Sequence, residues 1–119
     1  MSEQGDLDFG YLTTTGRITG RSHQIEIWFA LHDRTAYVLS GDRDGSDWVQ
    51  NLIASSAVTF RVGDVTLATT ARVVEAGTDE DALARLLLVQ KYTARDPDDL
   101  GEWGRTALPV AIAWEPKPN

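Results

Sequence analysis

Cysteine is absent from the 119 residues, so the chain has no disulfide framework, no thiolate zinc site and no cysteine nucleophile. Histidine is nearly absent: His23 and His32 stand nine positions apart without the carboxylate–histidine spacing of a metal site, so no resident metal is expected. No run approaches the ~20 consecutive apolar residues of a membrane span. Residues 1–10 are acidic and lack the apolar core of a signal peptide, and the expectation is a soluble cytoplasmic protein with no membrane span. Basic charge is scarce as well, with 11 Lys and Arg against 18 Asp and Glu for a net charge of −7. Proteins that hold phosphate backbones normally carry a net basic face, so nucleic acid is not expected as a partner. The deficit is uneven: Glu75 to Glu102 holds eight acids and three bases, leaving the rest nearly balanced and able to form a local cationic pocket.

Motifs of the commonest chemistries are also missing. There is no G-x-S-x-G elbow, and no histidine is placed by sequence to activate Ser40. The segment Gly16-Arg17-Ile18-Thr19-Gly20 lacks the third glycine of a dinucleotide fingerprint and is followed by a strand where that fingerprint needs a helix.

What is present suffices for one domain over residues 1–119, with residues 1–9 as a flexible N-terminus: 42% of residues are hydrophobic, enough for a core without staples. Strand signals dominate the first two-thirds. They predict strands over Tyr11–Thr15, Ser22–Leu31 and Ala36–Ser40, then Ala57–Val62 and Val65–Val74 across a Gly63-Asp64 hairpin turn, and finally Leu108–Trp114. One helix is predicted from Ser46 or Asp47 to about Ser55. A second starts at a Thr78 cap, carries the stripe Leu83, Leu86, Leu87 and Gln90, has Lys91 and Arg95 near its end, and stops at Asp96-Pro97. Hairpin-linked strands with single inserted helices exclude a doubly wound parallel sheet. They predict a mainly β (α+β) fold, a six-stranded antiparallel barrel with two flanking helices.

Candidate binding residues concentrate in the loop after the first strand. Two glycines allow close backbone approach, while Arg17, Thr19 and Arg21 offer fork donors, a hydroxyl and amides, a set that can cradle phosphate. The alternative is a solvated turn with two surface arginines. His23 shares a strand face with apolar residues and reads equally as a half-buried core histidine or an anion ligand. Trp48, heading a helix after the glycine-rich Ser40–Gly45 segment, is core or the wall of a slot for a flat ligand.

The stretch Leu12-Thr13-Thr14-Thr15-Gly16-Arg17-Ile18-Thr19-Gly20-Arg21 resembles the L-T-T-x-G-R-x-[ST]-G pattern of the deazaflavin-dependent nitroreductase family. Ser40-Gly41 followed by Trp48 and Asn51-Leu52-Ile53-Ala54 is similar to that family's serine and its W-x-x-N-L-x-A helix. Thr106-Ala107-Leu108-Pro109-Val110 resembles its closing strand entry, and the blocks together span residues 11 to 114. The resemblance implies a split β-barrel of pyridoxamine-phosphate-oxidase type and the cofactor coenzyme F-420, a deazaflavin with a long anionic tail. Residue by residue, it implies Arg17 on the tail with Thr19, Arg21 and His23 along the same route, Ser40 and Gly41 passing the ring, and Trp48 packing beside it. Asn51 is then a helix-positioning residue. Three departures accompany the match: Ile18 replaces a frequent second basic residue, Gly41 replaces a frequent lysine and leaves Arg43 in reserve, and the N-terminal extension is short.

The function implied is that of an F-420-dependent oxidoreductase passing a hydride to a small-molecule quinone, activated alkene or nitroaromatic, with a proton from water, Tyr37 or Tyr92. Two rivals keep the barrel: an FMN-binding oxidoreductase, and a non-catalytic module that binds or stores the deazaflavin. The acidic helix Thr78–Arg95 on one side leaves the opposite barrel face available for a homodimer contact.

Overall fold

Runs rich in β-branched and aromatic residues form strands, since alternate side chains of a pleated backbone can enter a core on one face. The computed structural model describes residues 7–94 and 100–116. Its strands are β1 (Gly10–Thr15), β2 (Ser22–Ile27), β3 (Ala30–His32), β4 (Thr35–Ser40), β5 (Ala57–Val62), β6 (Val65–Val73) and β7 (Leu108–Ala113). Helices α1 (Asp47–Ala54), α2 (Asp79–Thr93) and α3 (Gly101–Thr106) are inserted between them. Every neighbouring pair is antiparallel, in the order β2-β1-β5-β6-β7-β4-β3.

That order forces the sheet to curl. β2 and β3 are its two edges, yet only Trp28 and Phe29 separate them in the chain. Three extended steps from Ile27 to Ala30 reach about 11 Å, whereas six strand spacings across a flat sheet would place the edges about 29 Å apart. The sheet therefore bends into a half-barrel whose edges nearly meet at Trp28-Phe29.

Among the described residues, seven strands and three helices replace the expected six and two. The expected strand Ser22–Leu31 is broken because the chain must cross from one sheet edge to the other. At the crossing the Phe29 N–H donates to the Tyr92 hydroxyl at 2.9 Å, and the Phe29 carbonyl accepts from Tyr92 at 3.0 Å and from Lys91 at 2.8 Å. These side chains replace a strand partner. The extra helix α3 escaped the sequence reading because Gly-Glu-Trp-Gly-Arg-Thr is one short segment with two glycines and no helical apolar period.

Apolar side chains fill two layers. Inside the curl, Leu12, Phe29, Val38, Phe60, Val110, Ile112 and Trp114 are buried, with Phe29 and Trp114 both edge-on to Phe60. Outside it, α2 covers Tyr37, Leu39, Val74 and Ala111. The buried row of α2 is Ala84, Leu88 and Tyr92, spaced i, i+4, i+8, while Leu86 of the expected stripe is exposed and Leu83 and Leu87 only flank the contact. Counting leucines misplaced the face because alanine lets the helix approach and Tyr92 is held by its hydroxyl. The Thr78 cap is present, its Oγ1 accepting from the Asp81 N–H at 3.1 Å. Arg95 and the Asp96-Pro97 stop lie outside the described residues, as do residues 1–6 of the N-terminal segment expected to be flexible. The carbonyl of Asp8, within that segment, lies 2.7 Å from the Tyr92 hydroxyl and shares its one proton with the Phe29 carbonyl.

Candidate functional site

The loop between β1 and β2 closes on itself. The Gly16 N–H donates to the Arg21 carbonyl at 2.7 Å and the Gly20 N–H to the Gly16 carbonyl at 2.8 Å. Gly20 has φ +76°, a region that disfavours side chains, and a Cβ on Gly16 would lie 2.8 Å from the His23 Nε2. Glycine at both positions thus lets the loop turn tightly and lets the His23 ring lie against it.

Helix α1 fixes the same loop from below. Asn51, only 3% exposed, accepts at Oδ1 from the Arg17 backbone N–H at 3.1 Å and from its Nη1 at 2.9 Å, and donates from Nδ2 to the buried Thr14 Oγ1 at 3.1 Å. One amide ties strand, loop and helix together. Asp47 reaches the Arg17 Nη2 at 3.4 Å from the helix's first turn.

Between loop, β2 and α1 lies a cavity of about 710 Å³. Arg17, Thr19, Arg21, His23 and Trp48 all line it, together with Ile25 and Asn51. His23 is exposed rather than half-buried in the core, because only the second half of β2 packs inward. Trp48 belongs to both readings: it packs partly against the inner core and walls the cavity. Asn51 positions the loop as well as the helix.

Ser40 and Gly41 lie elsewhere. Ser40 is buried and its hydroxyl donates to the Arg43 carbonyl at 2.8 Å and pairs with the Ser46 Oγ at 2.8 Å, which organises the turn leading into α1. Gly41 is exposed, and a Cβ there would lie 3.8 Å from the Trp103 ring of α3. The Arg43 guanidinium donates to the Thr106 carbonyl.

Trp103 leads to a second hollow, of about 470 Å³, which the sequence reading missed. Phe9, Glu26, Ile27, Trp28, Leu39, Leu100 and Trp103 line it. Its aromatic wall is the pair Trp28 and Trp103, which meet edge-on with centroids 5.5 Å apart, and Tyr92 backs Trp28 from behind the wall, lying parallel to it at 4.2 Å. The abundance of tryptophan was the only available signal. β2 joins the two spaces, since Ser22 to Ile25 line the first and Glu26 and Ile27 the second.

Groups with displaced titration lie apart from the first cavity. Burial and a hydrogen bond to Glu80 at 2.8 Å raise the Tyr37 hydroxyl above its usual range, and the paired Arg72 guanidinium holds the Glu80 carboxyl below the usual carboxylate value. Tyr37 and Tyr92, expected as proton sources, line neither space and are engaged with Glu80 and with backbone groups. Among the described residues no group of three or more His, Asp or Glu could hold a metal, and no helix is long and apolar enough to cross a membrane.

Solved structures resemble this fold. An F420-H2 dependent reductase (FDR-A) is 23% identical, with a TM-score of 0.71 over 89% of this chain and 93% of its own. A conserved hypothetical protein from Mycobacterium tuberculosis is 20% identical, with a TM-score of 0.73 over 97% of this chain and 81% of its own. The heme storage protein HutZ from Vibrio cholerae is 14% identical, with a TM-score of 0.70 over 98% of this chain and 86% of its own. At these identities they show a common fold carrying several functions. Comparison with curated protein sequences finds no significant match. The profile of one family, however, matches residues 4–115, nearly the whole sequence, with the loop, α1 and the closing strand all inside the match. The chain therefore belongs to the F420H2-dependent quinone reductase family and is an oxidoreductase that uses coenzyme F-420.

Proposed function

We propose that the cavity beneath the 16–21 loop holds the anionic tail of coenzyme F-420, and that the aromatic hollow at the far end of β2 receives the acceptor, a quinone. The observation that carries this reading is the layout along one strand: cationic and hydroxyl side chains at one end, stacked tryptophan at the other. An extended six-residue strand spans about 20 Å, which leaves room for the anionic tail at the loop end, the ring beside Trp48 and a planar acceptor at the far end. The donor set fits the cofactor: Arg17 and Arg21 supply fork donors, Thr19 a hydroxyl, and the exposed His23 a ring nitrogen, all in a chain of net charge −7. Trp48 supplies a flat apolar wall, while Ser40 and Gly41 shape the turn that leads from β4 into α1, beside Trp103. The curled sheet is read as a split β-barrel of pyridoxamine-phosphate-oxidase type.

When bound, the reduced deazaflavin supplies a hydride. The chain's own residues bind the tail, orient the ring beside Trp48 and exclude water from the hollow. Fluorescence titration with coenzyme F-420 and FMN, followed by stopped-flow oxidation of the reduced cofactor with quinones and nitroaromatics, tests the reading. Tighter binding of F-420 and faster oxidation by quinones are expected. Preference for FMN would overturn the tail assignment, and binding without oxidation by any acceptor would make the protein a carrier. A Trp103→Ala variant is expected to lose turnover with quinone while keeping cofactor affinity.

A homodimer would form through the outer face of β1, β5 and β6. Thr13, Thr15, Ala57, Thr59, Ala68 and Thr70 line a shallow hollow there without a single charge. In a chain carrying −7, an uncharged hollow, flanked on this face by Arg61 and Arg72 and lined by no carboxylate, lets a second copy approach without acidic repulsion at the contact. Sedimentation of the wild type against Thr59→Lys distinguishes dimer from monomer.

A further inference from the structure

Arg17 is held from two sides by residues of opposite character. Asn51 grips it from within: the amide is 3% exposed, takes two hydrogen bonds from Arg17, and is itself anchored to Thr14. Asp47 touches it from without: its side chain is 90% exposed and its Oδ1 stands 3.4 Å from Nη2, at the long limit of a hydrogen bond. Such an exposed pair is weak because water solvates the carboxylate equally well elsewhere. Both residues line the cavity.

We infer that Asp47 is a displaceable internal counter-ion of the anion cradle, and that Asn51 is the positioning residue that keeps Arg17 aimed once Asp47 has been displaced. The inference rests on the tail reading above and extends it to specificity. An incoming anion must first outcompete a carboxylate already on Arg17. A ligand with several negative charges does so, because its remaining charges meet Arg21 and His23. A singly charged ligand exchanges one carboxylate contact for another and gains little. Asp47 therefore raises the threshold of charge needed for binding, and Asn51 prevents the freed guanidinium from swinging into solvent, where its rotamer entropy would oppose binding.

The pair is testable without turnover. Binding of coenzyme F-420 and of inorganic pyrophosphate is followed by Trp fluorescence across a salt series, and amide hydrogen exchange at Arg17 is measured in the ligand-free protein. Asp47→Asn is expected to tighten both ligands about two- to fivefold, the range of an exposed ion pair, and to steepen the salt dependence, because solution ions replace the lost carboxylate. Asp44→Asn, the same charge change outside the cavity lining, is expected to do neither. Asn51→Leu is expected to weaken binding and expose the Arg17 amide to exchange. Asn51→Asp keeps the accepting oxygen and is expected to preserve amide protection while weakening anion binding, since a second carboxylate then faces Arg17. Should Asn51→Leu fail to fold, Asn51→Asp and the surface change Asp47→Asn carry the test. Unchanged or weaker binding in Asp47→Asn, or an effect equalled by Asp44→Asn, overturns the counter-ion role. Unprotected Arg17 amide in Asn51→Asp, or protection unchanged in Asn51→Leu, overturns the positioning role. If Arg17→Ala leaves F-420 affinity unchanged, the tail reading itself is wrong; if it weakens binding while Asp47→Asn is silent, only the counter-ion role falls.

Discussion

The two ends of β2 solve the same problem with different chemistry. At the N-terminal end the chain turns away from its sheet at Gly16–Arg21, and at the C-terminal end it crosses to the other sheet edge at Trp28-Phe29. In both places backbone groups leave the ladder, and in both a polar side chain from a helix meets them: Asn51 of α1 accepts from Arg17, and Tyr92 of α2 serves Phe29. A buried amide or hydroxyl left unsatisfied costs free energy, so neither partner is optional. The difference lies in what each pin exposes. Asn51 leaves an arginine facing a cavity, whereas Tyr92 holds the backbone of Phe29, whose side chain is completely buried inside the curl, and stacks on Trp28. One end is built to offer charge and the other to close the barrel.

The comparison breaks first under Phe29→Ala. Phe29 is fully buried against Phe60, so truncation is expected to cost about 3–5 kcal/mol through lost transfer energy and a cavity, read as a large fall in the urea midpoint. Arg17→Ala at the other end is expected to weaken F-420 binding by about 1.5–3 kcal/mol, the range for a hydrogen bond to a charged group, with little change in melting temperature. Arg34→Ala is the control, since that side chain is 84% exposed and is paired with Glu115 at 3.7 Å, outside the cavity lining. A comparable loss in both variants would reduce the loop to a turn.

Tyr92→Phe sharpens the contrast further. Removing a hydroxyl that serves Phe29 and Asp8 is expected to cost about 1–3 kcal/mol while cofactor affinity stays put. Loss of affinity at unchanged stability would mean the two ends of β2 are coupled. The smallest effect concerns the other end of α2, where Glu80 is hydrogen-bonded by Arg72 and Tyr37. Its carboxyl titrates below the ordinary value, chiefly through the Arg72 hydrogen bonds, so its stabilising contribution is present above the unfolded pKa of about 4.3 and is lost as pH falls through the lower folded value. Arg72 is mostly exposed, which limits the contribution to about 1 kcal/mol or less. Urea unfolding across the acid range is expected to show a shallower loss of stability in Glu80→Gln.

Local signals carried the sequence reading wherever partners were close along the chain. β5 occupies the predicted span Ala57–Val62, the Gly63-Asp64 turn joins it to β6, and α1 begins at Asp47 after Ser46. Arg17, Thr19, Arg21 and His23 came out together in the cavity because one loop and one strand start hold them all. Contacts between distant segments were beyond reach. Phe29 and Tyr92 are 63 positions apart, Arg17 and Asn51 34, and no periodicity links them. The aromatic hollow draws on the N-terminal segment, β2, β4 and α3, so its wall exists only after the sheet has curled.

By itself, then, the sequence determined the class of element at most positions, the absence of cysteine chemistry, and the loop whose donors suit an anion. These follow from side-chain period, turn residues and composition, which act within a few neighbours. Tertiary structure alone decided that a single strand should be cut at Trp28-Phe29, that Ala84, Leu88 and Tyr92 should face the sheet, and that Asn51 should aim Arg17. Each of those outcomes depends on closing a sheet whose edge strands are adjacent in the chain, because only that closure sets which distant polar and apolar groups must satisfy one another.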